Sequence, residues 1–475
     1  MGKESIRKKI AEAKKSAEDL LKSRKATPET IAVIKSLLLI LDIVVSVLLE
    51  KKTRKNSSNS GLPPSRNNGS NGNRNKPNSA NQQKLGSQLP NSKRTTVTEE
   101  LPVNECSQCF ADLSRTPVIN QEKRKLIDIV YEIVTTEFIA DIKECYQCGS
   151  INKGAFPQGI DGQIQYGAGI KAAIINYIVT QALSLGRVQE HFMGLIGRFI
   201  SQAVCLKYIS QLYFALETWE KHQIQKLLTI PSFHVDETSL RVSKVNYWIH
   251  VYSTGDITLQ FIHSKRGSSA VDDIGIIPKY GGIIIHDCWA TYLMYKNVGH
   301  ALCGAHLLRE LKFIEDSNQY SWATQMKELL QNSAEIVAGR PLLGILYREE
   351  YLHLVKQYRL ILKQALKEMP PFPVREDGQK GKLKHTDAQN LWIRLKKHES
   401  SVLMFARNKH VPFTNNRAER DIRVSKLKQK VSGCFRTEKY ARAYCRIMSY
   451  IKTMRYRGYS SLEAISIALS GEIPL

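Results

Sequence analysis

Acidic residues are scarce in this sequence: 44 Asp and Glu stand against 69 Lys and Arg, for a formal net charge of +25. Such a deficit favours a polyanionic partner, because every phosphate neutralised by a basic side chain releases condensed counterions. Also missing is an apolar h-region behind the basic start Met-Gly-Lys-Glu-Ser, so the expectation is a cytoplasmic protein rather than a secreted one. The cysteines do not make an even set. Nine of them suit a reducing compartment, where thiols pack, react or bind metal instead of pairing. No uninterrupted apolar run reaches membrane length. Ile31 to Leu49 comes nearest, but Lys35, Asp42 and two serines interrupt it, and each charge is costly in lipid.

What is present divides into segments. At 475 residues the chain exceeds one ordinary domain, and its 42% apolar content supports a sizeable core with smaller modules. Thr27-Pro28-Glu29 reads as a helix start. The stripe Ile31, Ile34, Leu38, Leu41, Val45 and Leu48, with a parallel row from Val33 to Val47, predicts a helix that needs an apolar partner. Residues 1–52 are therefore expected to be a helical, coiled-coil oligomerisation segment. Residues 53–100, rich in Asn, Ser, Gly and Pro, cannot bury a core and read as a disordered basic linker.

Two cysteine pairs then follow, Cys106-x-x-Cys109 and Cys145-x-x-Cys148, in a module spanning 101–152. Four thiolates in two pairs can close a tetrahedral, structural Zn²⁺ site. Because 35 residues separate the pairs, a helix is expected between them, and Glu122 to Ile139 has the periodicity to form it. Residues 160–229 read as helical. Short, β-branched runs at Phe233 to Leu240, Tyr247 to Tyr252, Ile257 to His263 and Gly282 to His286 read as strands, with a fifth at 300–304 and a helix from Ala305 to Ile314. Another helical stretch, at about 318–402, looks inserted and is broken by Pro370-Pro371-Phe372-Pro373.

Three carboxylates stand out. Side chains alternate along a strand, so Asp236 and Glu237 face opposite ways and only one can join a given site. Asp287 closes the apolar run Ile283-Ile284-Ile285-His286, and the ends of open-sheet strands are where sites gather. Glu419 falls in a first helical turn if Asn416 is the N-cap. Taken singly, each is more readily a cap, turn or surface residue than a metal ligand. His286 points away from Asp287 if the strand continues. Cys303 and His306 are too few to make a metal site on their own. Between 403 and 457 there are fifteen Lys and Arg against three Asp and Glu, interleaved with Phe435, Tyr440, Tyr444 and Tyr450 among others. That stretch is a candidate DNA surface, with Arg417, Arg420, Arg423, Lys426, Lys428, Lys430 and Arg436 as its candidate contacts.

The order of these motifs resembles the insertion sequence 66 family of transposases. The resemblance rests on the apolar helix, the Asn-Ser-Ser-Asn-Ser linker, the paired cysteines, Asp236-Glu237-Thr238, Asp287 with Tyr292, Cys303 to His306 with Arg309, and Asn415-Asn416-x-Ala-Glu419-Arg420. It implies a multidomain α/β protein with a ribonuclease H-like mixed-sheet catalytic core at 230–430, carrying the helical insertion and followed by a basic helical tail at 431–475. It further implies a helix-turn-helix-like region within 160–229 and a catalytic triad of Asp236, Asp287 and Glu419. The triad would hold Mg²⁺, or Mn²⁺, for two-metal cleavage and strand transfer at element ends. Implied partners are DNA, both element ends and target, further copies of the chain and accessory proteins from the same element, at the bacterial nucleoid and without a membrane. Two alternatives remain: an inactive DNA-binding relative, and a nuclease of the same core without strand transfer.

Overall fold

The structure is a computed structural model. It describes residues 98–126, 132–374 and 383–475, with a few single positions before them. Of residues 1–52, only Ser16, Thr27, Thr30, Val33, Ile34, Ser36 and Leu37 are described, all but Thr27 helical; the rest of the expected oligomerisation segment and most of the linker lie outside the described residues.

A hairpin comes first, with β1 (Ile142–Glu144) antiparallel to β2 (Ile151–Lys153). The helix expected over Glu122 to Ile139 is absent among the described residues of that stretch. Two physical reasons account for the difference. Ile133, Val134, Thr135 and Thr136 form a β-branched run of modest helix propensity. Leu126, Ile133, Val134 and Ile139 are also all exposed, so no tertiary surface covers an apolar face, and packing is what stabilises most short helices.

Four helices follow: α1 (Ala168–Val179), α2 (Leu185–Ile196), α3 (Gln202–Ala215) and α4 (Glu217–Thr229). Serine caps start α2 and α3, Ser184 accepting from the Arg187 N–H and Ser201 from the Val204 N–H, while Gly197 closes α2 in the left-handed conformation that a residue without Cβ adopts freely.

The central sheet has five strands: β3 (Ser232–Val242), β4 (Val245–Thr254), β5 (Ile257–His263), β6 (Ile283–His286) and β7 (Gly299–Leu302). Their spatial order is β5-β4-β3-β6-β7, with β3, β4 and β5 antiparallel and β6 and β7 parallel to β3. The first four lie where the β-branched runs place them, and the fifth spans Gly299–Leu302 rather than 300–304, because Cys303 already caps the helix that follows. After the short helix α5 (Ser268–Ile274), β6 and β7, the chain enters α6 (Gly304–Asn318). The inserted segment then supplies α7 (Ser321–Ala338), α8 (Arg348–Glu368), α9 (Asp387–Lys397) and the short α10 (Glu399–Val402). These helices bury Trp322, Tyr358 and Leu391 in one core with Ile285, Ala301 and Leu302 of the sheet edge. Ile284, next to Ile285, belongs instead to the core shared with α1 to α4, as strand alternation requires.

The last helices are α11 (Asn416–Ser432), α12 (Glu438–Tyr456) and α13 (Ser461–Ser470), which complete thirteen α-helices among the described residues. Residues 431–475 are no peripheral tail. Helix α12 is buried along most of its length and lies against β5, the open edge of the sheet. There Ser449 Oγ accepts the Gln260 N–H at 2.8 Å, and Thr453 Oγ1 accepts the Thr258 N–H at 3.0 Å. A helix bearing hydroxyls thus satisfies edge-strand donors that would otherwise invite another strand.

Candidate active site

Register decides which carboxylates meet. Asp236 pairs with Val251 across β3 and β4, so the two side chains share a face, and Val251 packs with Ala418 and Ile422 on α11. The same face carries His234, whose Nδ1 bonds Asn415 Oδ1 at 2.9 Å, and Ser253, which donates to Asp421 Oδ2 at 2.8 Å. Helix α11 therefore lies over the strand that holds Asp236, and its first turn carries Glu419. Glu237 turns to the other face. Its carboxylate, almost fully buried, is held by Arg266 at 2.6 and 3.0 Å and by the Tyr292 hydroxyl at 2.8 Å. The Arg266 guanidinium is itself sandwiched over Trp248 and Trp289.

With Glu237 held on the other face in this way, the Asp236 side chain keeps only the Glu237 backbone N–H, at 2.8 Å. Asp287, just past β6, accepts the Trp289 N–H at 3.1 Å. Among the described residues neither Asp236 nor Asp287 takes part in an ion pair. Burial drives the Asp236 carboxyl well above its ordinary range, and repulsion from Glu237, Asp287 and Glu419 adds to the effect. Acids from β3, from the end of β6 and from α11 thus share one electrostatic neighbourhood.

The N-terminus of α11 is tied down by Asn415, which is buried and occupies the N-cap position expected for Asn416. Its side chain does not cap the helix. Asn415 Nδ2 donates to Val235 O at 2.9 Å, its Oδ1 meets His234, and its backbone N–H donates to Cys303 Sγ at 3.1 Å. Two residues beyond Glu419, Asp421 is fully buried and accepts from Ser253, Thr258, Tyr456, Arg417 and Lys452. Burial alone would raise its carboxyl, yet Lys452 and Arg417, with the two hydroxyls, bring it below the ordinary value. Asn415 and Asp421 clamp both sides of Glu419. Neither role was legible, because the strand partners Val235, His234, Ser253 and Thr258 lie more than 150 residues away.

Glu419 itself faces α6. Its Oε1 lies 3.6 Å from His306 Nδ1 and 3.8 Å from Arg309 Nη2, and is buried without a hydrogen-bond partner. His286 is fully buried, bonds His300 at 3.2 Å and is pushed down to about 3 by burial, as befits a core histidine rather than a base.

A family comparison matches residues 163–443 to the Transposase IS66 family. The chain belongs to that family. The match runs from just before α1 into α12, so it takes in the whole sheet, the inserted helices and all three carboxylates, and it supports a transposase function. The paired cysteines lie outside the matched stretch of this IS66 transposase family member. No curated protein matches the chain.

The basic residues of α11 separate into two groups. Arg417 pairs with Asp421 and stacks on Tyr456, Lys426 Nζ bonds Ser239, and Lys428 is buried against Leu183 O and pushed down to about 8 by burial. Those three serve the interior rather than the DNA surface expected of them. Arg420, Arg423 and Lys430 form an exposed stripe at helical spacing, and Arg436 is exposed just beyond the helix. Each cysteine pair forms its own turn. Cys106 O accepts the Phe110 N–H at 2.9 Å and Cys145 O accepts the Gly149 N–H at 2.8 Å, with Phe110 and Gly149 both in the left-handed region. Backbone N–H groups of Cys109 and Gln108 hold the Cys106 thiol below its usual range, and the Ser150 hydroxyl and N–H do the same for Cys148. The structure gathers the four cysteines as two pairs and not as one set.

Proposed function

We propose that the chain is a metal-dependent DNA transposase in which Asp236, Asp287 and Glu419 hold the catalytic cations. The observation that supports this reading is that Asp236, which like Asp287 has no basic partner, feels the negative charges of Asp287 at the end of β6 and of Glu419 on α11, although the three do not bring their oxygens within 4.8 Å of one another. The mixed sheet, with two strands parallel to β3 and a helix over Asp236, supports a ribonuclease H-like core. An all-oxygen donor set suits Mg²⁺ or Mn²⁺, which supply charge stabilisation and an activated oxygen for in-line phosphoryl transfer.

The chain's own part is to position these groups. Arg266 and Tyr292 hold Glu237 on the opposite face, so Asp236 alone of that pair turns to the site. Asn415 and Asp421 fix Glu419 against β3. Arg420, Arg423, Lys430 and Arg436 supply phosphate contacts beside the acids, and the exposed face of α2 and α3 offers a helix-turn-helix-like second contact with DNA. Zn²⁺ at Cys106, Cys109, Cys145 and Cys148 would draw the two turns into one module, since structural metals commonly supply the folding free energy of such small units. The apolar stripe in the sequence at 31–49 serves self-association, and DNA ends, target DNA and accessory proteins of the same element are the partners. No helix among the described residues is long and apolar enough to cross a membrane.

The test is incubation of the full chain with Mg²⁺ and DNA carrying the element ends. Cleaved ends and joined products are expected, both lost in Asp287→Ala. Cleavage without joining would reduce the reading to a nuclease, and activity surviving in Asp287→Ala would end the catalytic assignment.

A further inference from the structure

Among the described residues, one group of three His, Cys, Asp or Glu side chains brings its ligand atoms within 4.8 Å of one another: Cys303, His306 and Glu419. Cys303 is the N-cap residue of α6 and His306 lies in that helix's first turn, so backbone geometry places both on the side that faces α11. The donors are one thiol, one imidazole and one carboxylate. That set is unlike the oxygen donors proposed for the catalytic cations, and it is the set preferred by a borderline-soft cation such as Zn²⁺, with a fourth position open.

A second observation points to a ligand at the same spot. Glu419 Oε1 is buried and has no hydrogen-bond partner, because His306 Nδ1 at 3.6 Å and Arg309 Nη2 at 3.8 Å stand beyond bonding distance. A buried carboxylate oxygen left unmet costs free energy, and core packing of Cys303 offers no remedy. A cation between the thiol, the imidazole and this oxygen would satisfy it, displacing Arg309 as the nearest positive charge.

We propose that Cys303, His306 and Glu419 form a second, Zn²⁺-type metal site that shares Glu419 with the catalytic carboxylates, so that its occupation withdraws Glu419 and inhibits the enzyme. The existence of the site stands on its own geometry; the inhibition rests on the catalytic reading above. Zinc at this site and hard cations at the neighbouring one compete for a single carboxylate.

The experiment measures zinc retained per chain, and its affinity, for the full-length protein and for Cys303→Ser, His306→Ala and Glu419→Gln, each checked for native circular dichroism. The wild type should retain one equivalent more than every variant, whatever the four distant cysteines hold, or each variant should bind that equivalent on the order of 100-fold more weakly. Equal zinc content and affinity in wild type, Cys303→Ser and His306→Ala would overturn the site. Should Cys303→Ser fail to fold, Co²⁺ replaces Zn²⁺ in the wild type and in His306→Ala, and loss of thiolate-to-cobalt absorption in the latter is expected; unchanged absorption overturns the proposal. Inhibition is read separately, as loss of Mg²⁺-dependent end cleavage on adding one zinc equivalent to zinc-free protein. Cleavage that persists with this equivalent bound overturns the inhibitory role. A wild type that never cleaves with Mg²⁺ alone is the failure of the catalytic reading, and leaves the zinc count unaffected.

Discussion

Replacing Asp421 with Asn tests the reasoning about α11 most directly. The carboxylate is fully buried and is met by Arg417 at 3.0 Å and Lys452 at 3.3 Å, with hydroxyls from Ser253, Thr258 and Tyr456 at 2.8 to 3.1 Å. Asp421→Asn keeps the shape but removes the charge, leaving two cations facing each other in the interior, Lys452 almost wholly buried. Breaking a buried pair in this way costs about 3–5 kcal/mol, well below the sum of the separate hydrogen bonds, because the water-exposed state recovers most of them. For a unit of this size that corresponds to a fall in Tm of roughly 10 °C. The assay is urea unfolding followed by intrinsic fluorescence. A double-mutant cycle with Lys452→Met should show a coupling of about 1–3 kcal/mol, since removing the cation rescues part of the loss. The sign of the pH dependence is fixed too. The Asp421 carboxyl sits below its ordinary 3.8, so its stabilisation is full above that value and is lost as pH falls through the lower folded value. The gap between wild type and variant should therefore close in acid. A loss under about 1 kcal/mol, or a strictly additive cycle, would refute the account of Asp421 as the anchor of α11.

Other expectations can be checked alongside. Asp236→Asn should raise the melting temperature of metal-free protein at neutral pH, by about 0.5–2 kcal/mol in stability, while abolishing Mg²⁺-dependent cleavage. The penalty it removes appears as pH rises above 3.8, where the unfolded carboxyl ionises while the folded one keeps its proton, and is complete above the raised folded value, so a variant no more stable than wild type at pH 7 contradicts the argument from burial and repulsion. Asn415→Ala strands the Val235 carbonyl and His234; it should cost about 1–3 kcal/mol and slow cleavage on the order of 100-fold at unchanged DNA affinity, measured by single-turnover kinetics beside binding titrations. Arg420→Gln, Arg423→Gln and Lys430→Gln should each lower the salt slope of DNA binding by about 1 in fluorescence anisotropy, and slopes equal to wild type would remove α11 from the DNA interface.

Several elements of this chain were legible because the forces that form them act over a few residues. The apolar, β-branched run at 257–263 is a strand with those bounds, and Ala305 to Ile314 sits inside α6. Asp287 does end a buried strand, and Glu419 does fall in a first helical turn. Each cysteine pair does make a tight turn. The expected helix from Glu122 to Ile139 is absent from its described residues for the converse reason: periodicity without a surface to cover it does not sustain a helix.

By itself, then, the sequence determined where strands and helices start, which acids end them and how basic the surface is, since backbone sterics, side-chain alternation and capping are local. Only the tertiary structure decided how those acids are used. Strand register sent Asp236 toward α11 and Glu237 toward Arg266. Packing turned Arg417, Lys426 and Lys428 inward and left Arg420 and Arg423 out. The fold also brought Cys303 and His306 to Glu419 across more than a hundred residues. Those outcomes depend on which surfaces bury one another, and no spacing along the chain encodes the partner a side chain meets on the far side of a core.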